Sequence, residues 1–349
     1  MLGEIYKITQ DDLYELLKRL ARNHKIIGPV KKGSRVIFDY ADKVSEVLVD
    51  YDKRILLPPK KFFLPPREVL FEYEILENDV IIRDRLGEIS REKRVLIGVK
   101  SCDITSIEIL KKTFDRHFKD PYVLTRIKNT VIIGVMCRDV SPTCFCYQAG
   151  SGPLPRTGCD LFLTKLGDDY LIEVKSEQGQ RILNNNKDLL KTASSEDIQI
   201  RNRIIDELIE RMKRNNLPEL AEAYDSLVSS YESELWNMYA EKCLACGKCN
   251  FVCPTCHCFD VHDEVSLDFR YGARIREWDS CHFLSFTRVA SGEIFRKDRS
   301  SRIKQRIYHK LVYSVNDIGV ISCVGCGRCV EVCPASIDIR EVIRKFVRR

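Results

Sequence analysis

The stretch Cys243-Leu244-Ala245-Cys246-Gly247-Lys248-Cys249-Asn250-Phe251-Val252-Cys253-Pro254 returns as Cys323-Val324-Gly325-Cys326-Gly327-Arg328-Cys329-Val330-Glu331-Val332-Cys333-Pro334. Three cysteines spaced by two residues wrap a short loop around one cubane, and a fourth, followed by proline, is carried towards a second. The spacing predicts two 4Fe-4S clusters with crossed ligand sets. Cluster one takes Cys243, Cys246, Cys249 and Cys333; cluster two takes Cys253, Cys323, Cys326 and Cys329. Zinc fits poorly, because structural zinc usually joins two close cysteines to two distant ligands, and here four crowd into residues 243–253 and four into 323–333.

Between the copies, Phe283, Phe286, Val289 and Ala290 recur at helical spacing, which predicts a helical insert. Residues 231–349 are therefore expected to form an α-helical dicluster ferredoxin-like domain. Residues 1–230 read as a mixed α/β domain, so the fold class is α+β. Asp11-Asp12 followed by Leu13, Leu16, Leu17 and Leu20 predicts an acid-capped amphipathic helix. The segment from Leu56 to Pro66, with proline pairs flanking Lys60-Lys61-Phe62-Phe63, predicts an extended surface stretch rather than an interior strand. Arg94–Val99 and Val131–Met136 are apolar enough for buried strands. A loop, Lys100-Ser101-Cys102-Asp103, and a helix lined by Ile104, Ile107, Leu110 and Phe114 lie between them, which suggests parallel, neighbouring strands joined by a right-handed crossover. Residues 160–165 and 170–174 suggest a hairpin, and Ile204, Ile205, Leu208, Ile209 and Met212 the apolar stripe of a helix.

The strand–helix–strand reading has a chemical consequence. Cys102 and Cys137 would both lie at the carboxyl edge of one sheet, where open α/β sheets place ligands. Cys144 and Cys146 follow closely on a loop opened by Ser141-Pro142, so Cys102, Cys137, Cys144 and Cys146 are candidates for a third cluster. The alternative is that some are ordinary half-buried thiols. Cys159 has no neighbour at ligand spacing and is expected to be structural. Cys256, Cys258 and Cys281 are candidate extra ligands, for zinc or at a cluster edge, or else simply pack.

A chain of 349 residues makes two domains the default. Hydrophobic residues at 44% and charged residues at 31% make it globular, and no apolar run is long enough to span a bilayer. The start, Met1-Leu2-Gly3-Glu4-Ile5, lacks the pattern of a secretory signal, so a cytoplasmic location is expected. In a reducing cytoplasm the 16 cysteines are metal ligands before they are disulfides. The formal charge is +6. Each 4Fe-4S core with four thiolates carries about two negative charges, so three clusters would bring the total near zero. The basic runs from Arg296 to Arg306 and from Arg344 to Arg349 lack interleaved aromatics and any nucleic-acid motif, so a nucleic-acid partner is not expected. There is no dinucleotide fingerprint and no P-loop; Ala149-Gly150-Ser151-Gly152-Pro153 lacks the context of a Rossmann turn. Iron–sulfur clusters alone move single electrons, which points to a non-catalytic electron-transfer subunit.

Several segments lie outside general ferredoxin patterns. Leu57-Pro58-Pro59-Lys60-Lys61-Phe62-Phe63, Gly98-Val99-Lys100-Ser101-Cys102-Asp103, Cys144-Phe145-Cys146, Cys253-Pro254-Thr255-Cys256 and Trp278-Asp279-Ser280-Cys281 are the most distinctive. With the two cysteine repeats, these segments resemble the beta subunits of cytoplasmic sulfhydrogenase-type NiFe hydrogenases and the related A subunit of anaerobic sulfite reductase. The resemblance spans nearly the whole chain. It implies an iron–sulfur subunit joining a flavin/NAD(P)-binding subunit to a catalytic partner, a hydrogenase first, with no nucleic acid or membrane involved. A sulfite-reducing or heterodisulfide-reductase-like complex is the alternative partner. A reading of another class, a non-redox zinc module or cluster-based sensor, remains open from the sequence.

Overall fold

In the computed structural model, residues 3–215 and 217–347 are described. The strands are β1 (Ile5–Ile8), β2 (Lys25–Lys32), β3 (Arg35–Tyr40), β4 (Arg67–Ile75), β5 (Val80–Asp84), β6 (Arg94–Val99), β7 (Thr130–Val135), β8 (Leu161–Leu166), β9 (Asp169–Val174), β10 (Lys191–Thr192), β11 (Phe259–Val265) and β12 (Tyr271–Trp278). Eight of them form one sheet in the order β10-β1-β9-β8-β7-β6-β2-β3. Its centre, β2-β6-β7-β8, is parallel and both flanks are antiparallel.

β6 and β7 are buried along their whole length, as central strands covered on both faces must be. One cover is the helix Gln10–Ala21, capped by the Thr9 side chain, with Leu13, Leu16 and Leu17 in the core. The other is the helix Ser101–Phe114, which packs Ile104, Ile107, Leu110 and Phe114 against the opposite face. The expected parallel pair is present, with Val95 opposite Val131 and Ile97 opposite Ile133. The hairpin β8–β9 and the helix Ser195–Lys213 also stand where the sequence suggested.

Three expectations need correction. The insert between the cysteine repeats is helical only in its second half, at Arg299–Tyr308 and Ser314–Ile318; ahead of these, β11 and β12 form an antiparallel hairpin, and β12 pairs with β4 to build a second sheet in the order β11-β12-β4-β5. Phe283 to Ala290 follow that hairpin and form no α-helix. Phe283 instead packs on Phe251, with ring centroids 6.0 Å apart, and only a single 3₁₀ turn, Ser285–Thr287, lies nearby. The proline-rich segment is not an exposed extended stretch. It makes a 3₁₀ turn at Pro59–Phe62 and buries Lys60, Phe62, Phe63 and Leu64, because its four apolar and aliphatic stems fill the space beside the helix Ser101–Phe114. Nor are Lys100 to Asp103 a loop, since the helix begins at Ser101 directly after β6.

The C-terminal part has its own core. The helices Leu235–Lys242, Arg299–Tyr308 and Ile339–Val347 contribute Trp236, Tyr239, Ile303, Ile307, Val342, Ile343 and Phe346. The Trp236 and Phe346 rings stack at 4.4 Å. Helices and a two-sheet framework thus hold the cysteine loops between them. Among the described residues, no helix is long and apolar enough to cross a membrane.

Candidate metal centre

The first cysteine loop leaves the helix Lys242 end at Cys243 and re-enters helix at Lys248. Gly247 sits at φ +71°, a conformation that brings Cys246 and Cys249 round the same turn. Cys243, Cys246 and Cys249 line a cavity of about 60 Å³. Cys333 and Pro334, at the end of the second loop, line the same cavity, with Cys329, Arg306 and His282. His282 is buried, and among the described residues neither ring nitrogen has a hydrogen-bond partner. Burial, reinforced by Arg306 and Arg302, pushes its pKa down to about 3, so the ring is neutral.

Around the second loop, burial pushes Cys323 up to about 12, and Cys329 and Cys253 lie within electrostatic reach of it. Cys326 is pushed up to about 11, again by burial, opposed by Arg328, with Cys253 and Cys329 close by. Cys253, Cys323, Cys326 and Cys329 are thus drawn together from two stretches of chain.

The N-terminal cysteines meet this loop. Cys102 lies in the first turn after β6, and Cys137 follows β7, so the parallel pairing puts both at one sheet edge. Burial drives the Cys137 thiol up to about 11; Lys100 opposes it and Cys144 stands beside it. Cys146 donates to the Cys144 sulfur and lowers that pKa to about 7 against the effect of burial. Cys146 in turn lies within reach of Cys102 and Cys137, and Cys102 within reach of Cys326. Cys102, Cys137, Cys144 and Cys146 thus converge, next to the second loop, without Cys159.

That junction is tightly tied. Both oxygens of Asp103 accept from Arg328, at 2.7 and 2.8 Å, and each side chain is 1% exposed. Arg328 also donates to the Ile55 carbonyl at 2.9 Å. Phe145 N donates to the Gly325 carbonyl at 2.7 Å, Ser151 Oγ to the Val324 carbonyl at 2.6 Å, and Arg54 to the Cys326 carbonyl. Gly325 and Gly327 have positive φ, and a Cβ on either would strike the carbonyls of Phe145 and Thr143.

The donor chemistry favours polynuclear iron–sulfur centres. Among the described residues, no three His, Cys, Asp or Glu side chains gather closely enough for one metal ion. Tetrahedral zinc would hold its thiolates about 3.8 Å apart, given bonds of about 2.3 Å. On a cubane each thiolate binds its own iron, so the sulfurs can stand further apart. Arg306, Lys310 and Lys60 are buried beside these thiols, and among the described residues they form no carboxylate ion pair. Burial opposes the charge on Arg306 and Lys310, yet the surrounding thiols raise both pKa values. Buried cations need an anion, and thiolate-bound clusters supply one.

These cations were hidden in the sequence: Arg302, Arg306 and Lys310 fall in or beside a basic run that looks like a solvated face, yet all are buried. The helical period that buries Ile303 and Ile307 was the available signal. Cys159 lies in the core at the start of β8. Cys256, Cys258 and Cys281 do lie together, at the open end of the β11–β12 hairpin.

Comparison with known proteins agrees with this chemistry. Residues 242–337 match the family described as 4Fe-4S dicluster domain. The sulfhydrogenase 2 subunit beta of Pyrococcus furiosus is 36% identical over 338 residues, covering 97% of this chain and 96% of that protein. The F420-dependent formate dehydrogenase subunit beta of Methanocaldococcus jannaschii is 28% identical over 179 residues, 50% of this chain and 38% of that protein. With near-complete coverage of the first relative, the chain belongs to the family of the sulfhydrogenase beta subunits.

Proposed function

We propose that this chain is the electron-transfer subunit of a multi-subunit oxidoreductase whose catalytic partner is a hydrogenase of the sulfhydrogenase kind, with a flavin/NAD(P)-binding subunit as its other neighbour. The ligands are Cys243, Cys246, Cys249 and Cys333 for cluster one, Cys253, Cys323, Cys326 and Cys329 for cluster two, and Cys102, Cys137, Cys144 and Cys146 for a third. The single observation that carries the reading is the cavity lined by three cysteines of the first loop and Cys333 of the second, the crossed set that the motif requires.

When bound, a 4Fe-4S cluster takes up and returns one electron at a time. The protein holds the thiolates and sets their surroundings. Arg306 and Lys310 offset negative charge between the two crossed sets, which favours the more negative, reduced level. His282 has an N–H to offer a cluster sulfur in the first cavity and finds no other acceptor. Cys246 and Leu244 are exposed, so the first set lies against the surface where a partner can dock. Cys102 and Cys326 bring the third set beside the second.

A second reading, with a different catalytic partner, is supported by the formate dehydrogenase subunit among the relatives. Iron and acid-labile sulfide in the anaerobically purified protein test the common core of both. At least about twelve irons per chain are expected, with about four lost when Cys144 and Cys146 become serine. Zinc in place of iron overturns the electron-transfer reading. Hydrogen-dependent bleaching of the visible absorption in the isolated complex, absent with formate, selects the hydrogenase.

A further inference from the structure

Four cysteines are left over after the ligand sets are assigned; Cys159 lies alone in the core, and the other three are not scattered. Cys256 and Cys258 lead into β11, while Cys281 follows β12. The register places Phe259 opposite Trp278, and Asp279 N donates to the Cys258 carbonyl at 2.9 Å. The hairpin therefore closes Cys258 on Cys281, whose thiol donates to the Cys258 sulfur. Cys256 donates to the Cys253 sulfur of the neighbouring crossed set and also stands within electrostatic reach of Cys258. Cys256 and Cys281 are buried. The Asn250 amide donates to Cys281 Sγ at 3.0 Å and to Ser280 Oγ at 2.9 Å, which fixes that side of the group.

The second observation is a charge without a counterpart. Lys60 is 3% exposed and, among the described residues, makes no ion pair with a carboxylate. Its ammonium donates to the Cys256 carbonyl at 2.8 Å and lies 4.0 Å from the centre of the Trp278 ring. The acidic groups around it are the thiols of Cys256, Cys253 and Cys258. Cys253 belongs to the crossed sets, where Arg306 and Lys310 already sit. Burying an ammonium without an anion costs several kcal/mol or neutralises it, on the order of the penalty for any isolated buried ion. A ring face and one carbonyl offset only part of that.

We propose that Cys256, Cys258 and Cys281 hold a further iron–sulfur cluster, distinct from those of the motif cysteines and the N-terminal set, with Lys60 as its buried counter-charge. Cys258 and Cys281 are within hydrogen-bonding reach of each other, but among the described residues no three such side chains gather closely enough for one metal ion, which sets a polynuclear centre ahead of zinc. With three thiolates, one metal position takes a non-thiolate donor or is left without an iron, so the centre is of the three- or four-iron class. This rests on the reading of the chain as an iron–sulfur protein, and it extends that reading to residues the ferredoxin motif does not use.

The test begins with wild-type protein purified anaerobically in its complex. A diffraction map using the anomalous signal of iron should show, at each of the three sulfurs, iron density at bonding distance, merging into one multi-iron peak between them. Iron at the motif cysteines with none at Cys256, Cys258 and Cys281 overturns this proposal alone; no iron at either place overturns the proposed function instead. Zinc at the three sulfurs also overturns it. In solution, the double variant Cys258→Ala/Cys281→Ala should lose about three or four irons and the matching sulfide, and should retain the paramagnetic signals lost in Cys243→Ala or Cys323→Ala. Unchanged iron in the folded double variant refutes the site. Should that variant fail to fold, the wild-type map decides.

Discussion

The two cysteine loops share one motif and occupy opposite surroundings. In the first, Leu244 is 64% exposed, Cys246 is exposed and Lys248 points to solvent. In the second, the residues at the same places, Val324, Cys326 and Arg328, are all buried. Ala245 and Gly325 both hold a left-handed backbone, φ 52° and 60°, but only at 325 does the N-terminal chain press so close that no side chain fits. The motif prescribes the loop; the neighbours decide what each loop is for. An open copy can meet a partner, and a closed copy can meet only the chain's own N-terminal cysteines.

Matched substitutions can break that contrast. Arg328→Met should be the most damaging, since it leaves Asp103 charged and unpaired in the interior; a loss of about 3–5 kcal/mol is expected in anaerobic urea unfolding. Lys248→Met, its counterpart, should stay within about 0.5 kcal/mol. Equal effects from the two would mean that both loops are open in solution. Next, Gly325→Ala should cost about 3 kcal/mol as its Cβ drives the Phe145 segment away, whereas Ala245→Gly should change stability by less than about 1 kcal/mol. The smallest effect sharpens the contrast without touching stability much. His282→Leu removes an N–H from the first cavity, so the centre there should become harder to reduce while the others keep their potentials, as read in a redox titration followed by electron paramagnetic resonance. A shift spread over all centres would place His282 in a merely structural role.

What could be read in advance divides along range. Arg94–Val99, the helix after it and Val131–Met136 are local patterns, and the structure forms them as a parallel pair with Cys102 and Cys137 at one edge. The eight motif cysteines are equally local, a matter of spacing within each loop. The β11–β12 hairpin was missed because its stabilising partner, β4, lies far back in the chain, while the apolar spacing at Phe283, Phe286 and Val289, just beyond the hairpin, drew the whole insert towards a helical reading. Lys60, Arg306 and Lys310 were illegible for another reason. A cationic side chain enters an interior only to meet negative charge, and that charge belongs to no residue type that sequence reading counts as acidic.

The pairing of β12 with β4 also governs how the chain must be made. While the ribosome is still assembling the middle of the protein, β4 and β5 have emerged with one edge bare, and its partner arrives about 200 residues later. So large a sequence separation slows the closing step. At roughly 5–20 residues per second the nascent protein therefore spends about 10–40 s with that strand edge bare, until the hairpin seals it.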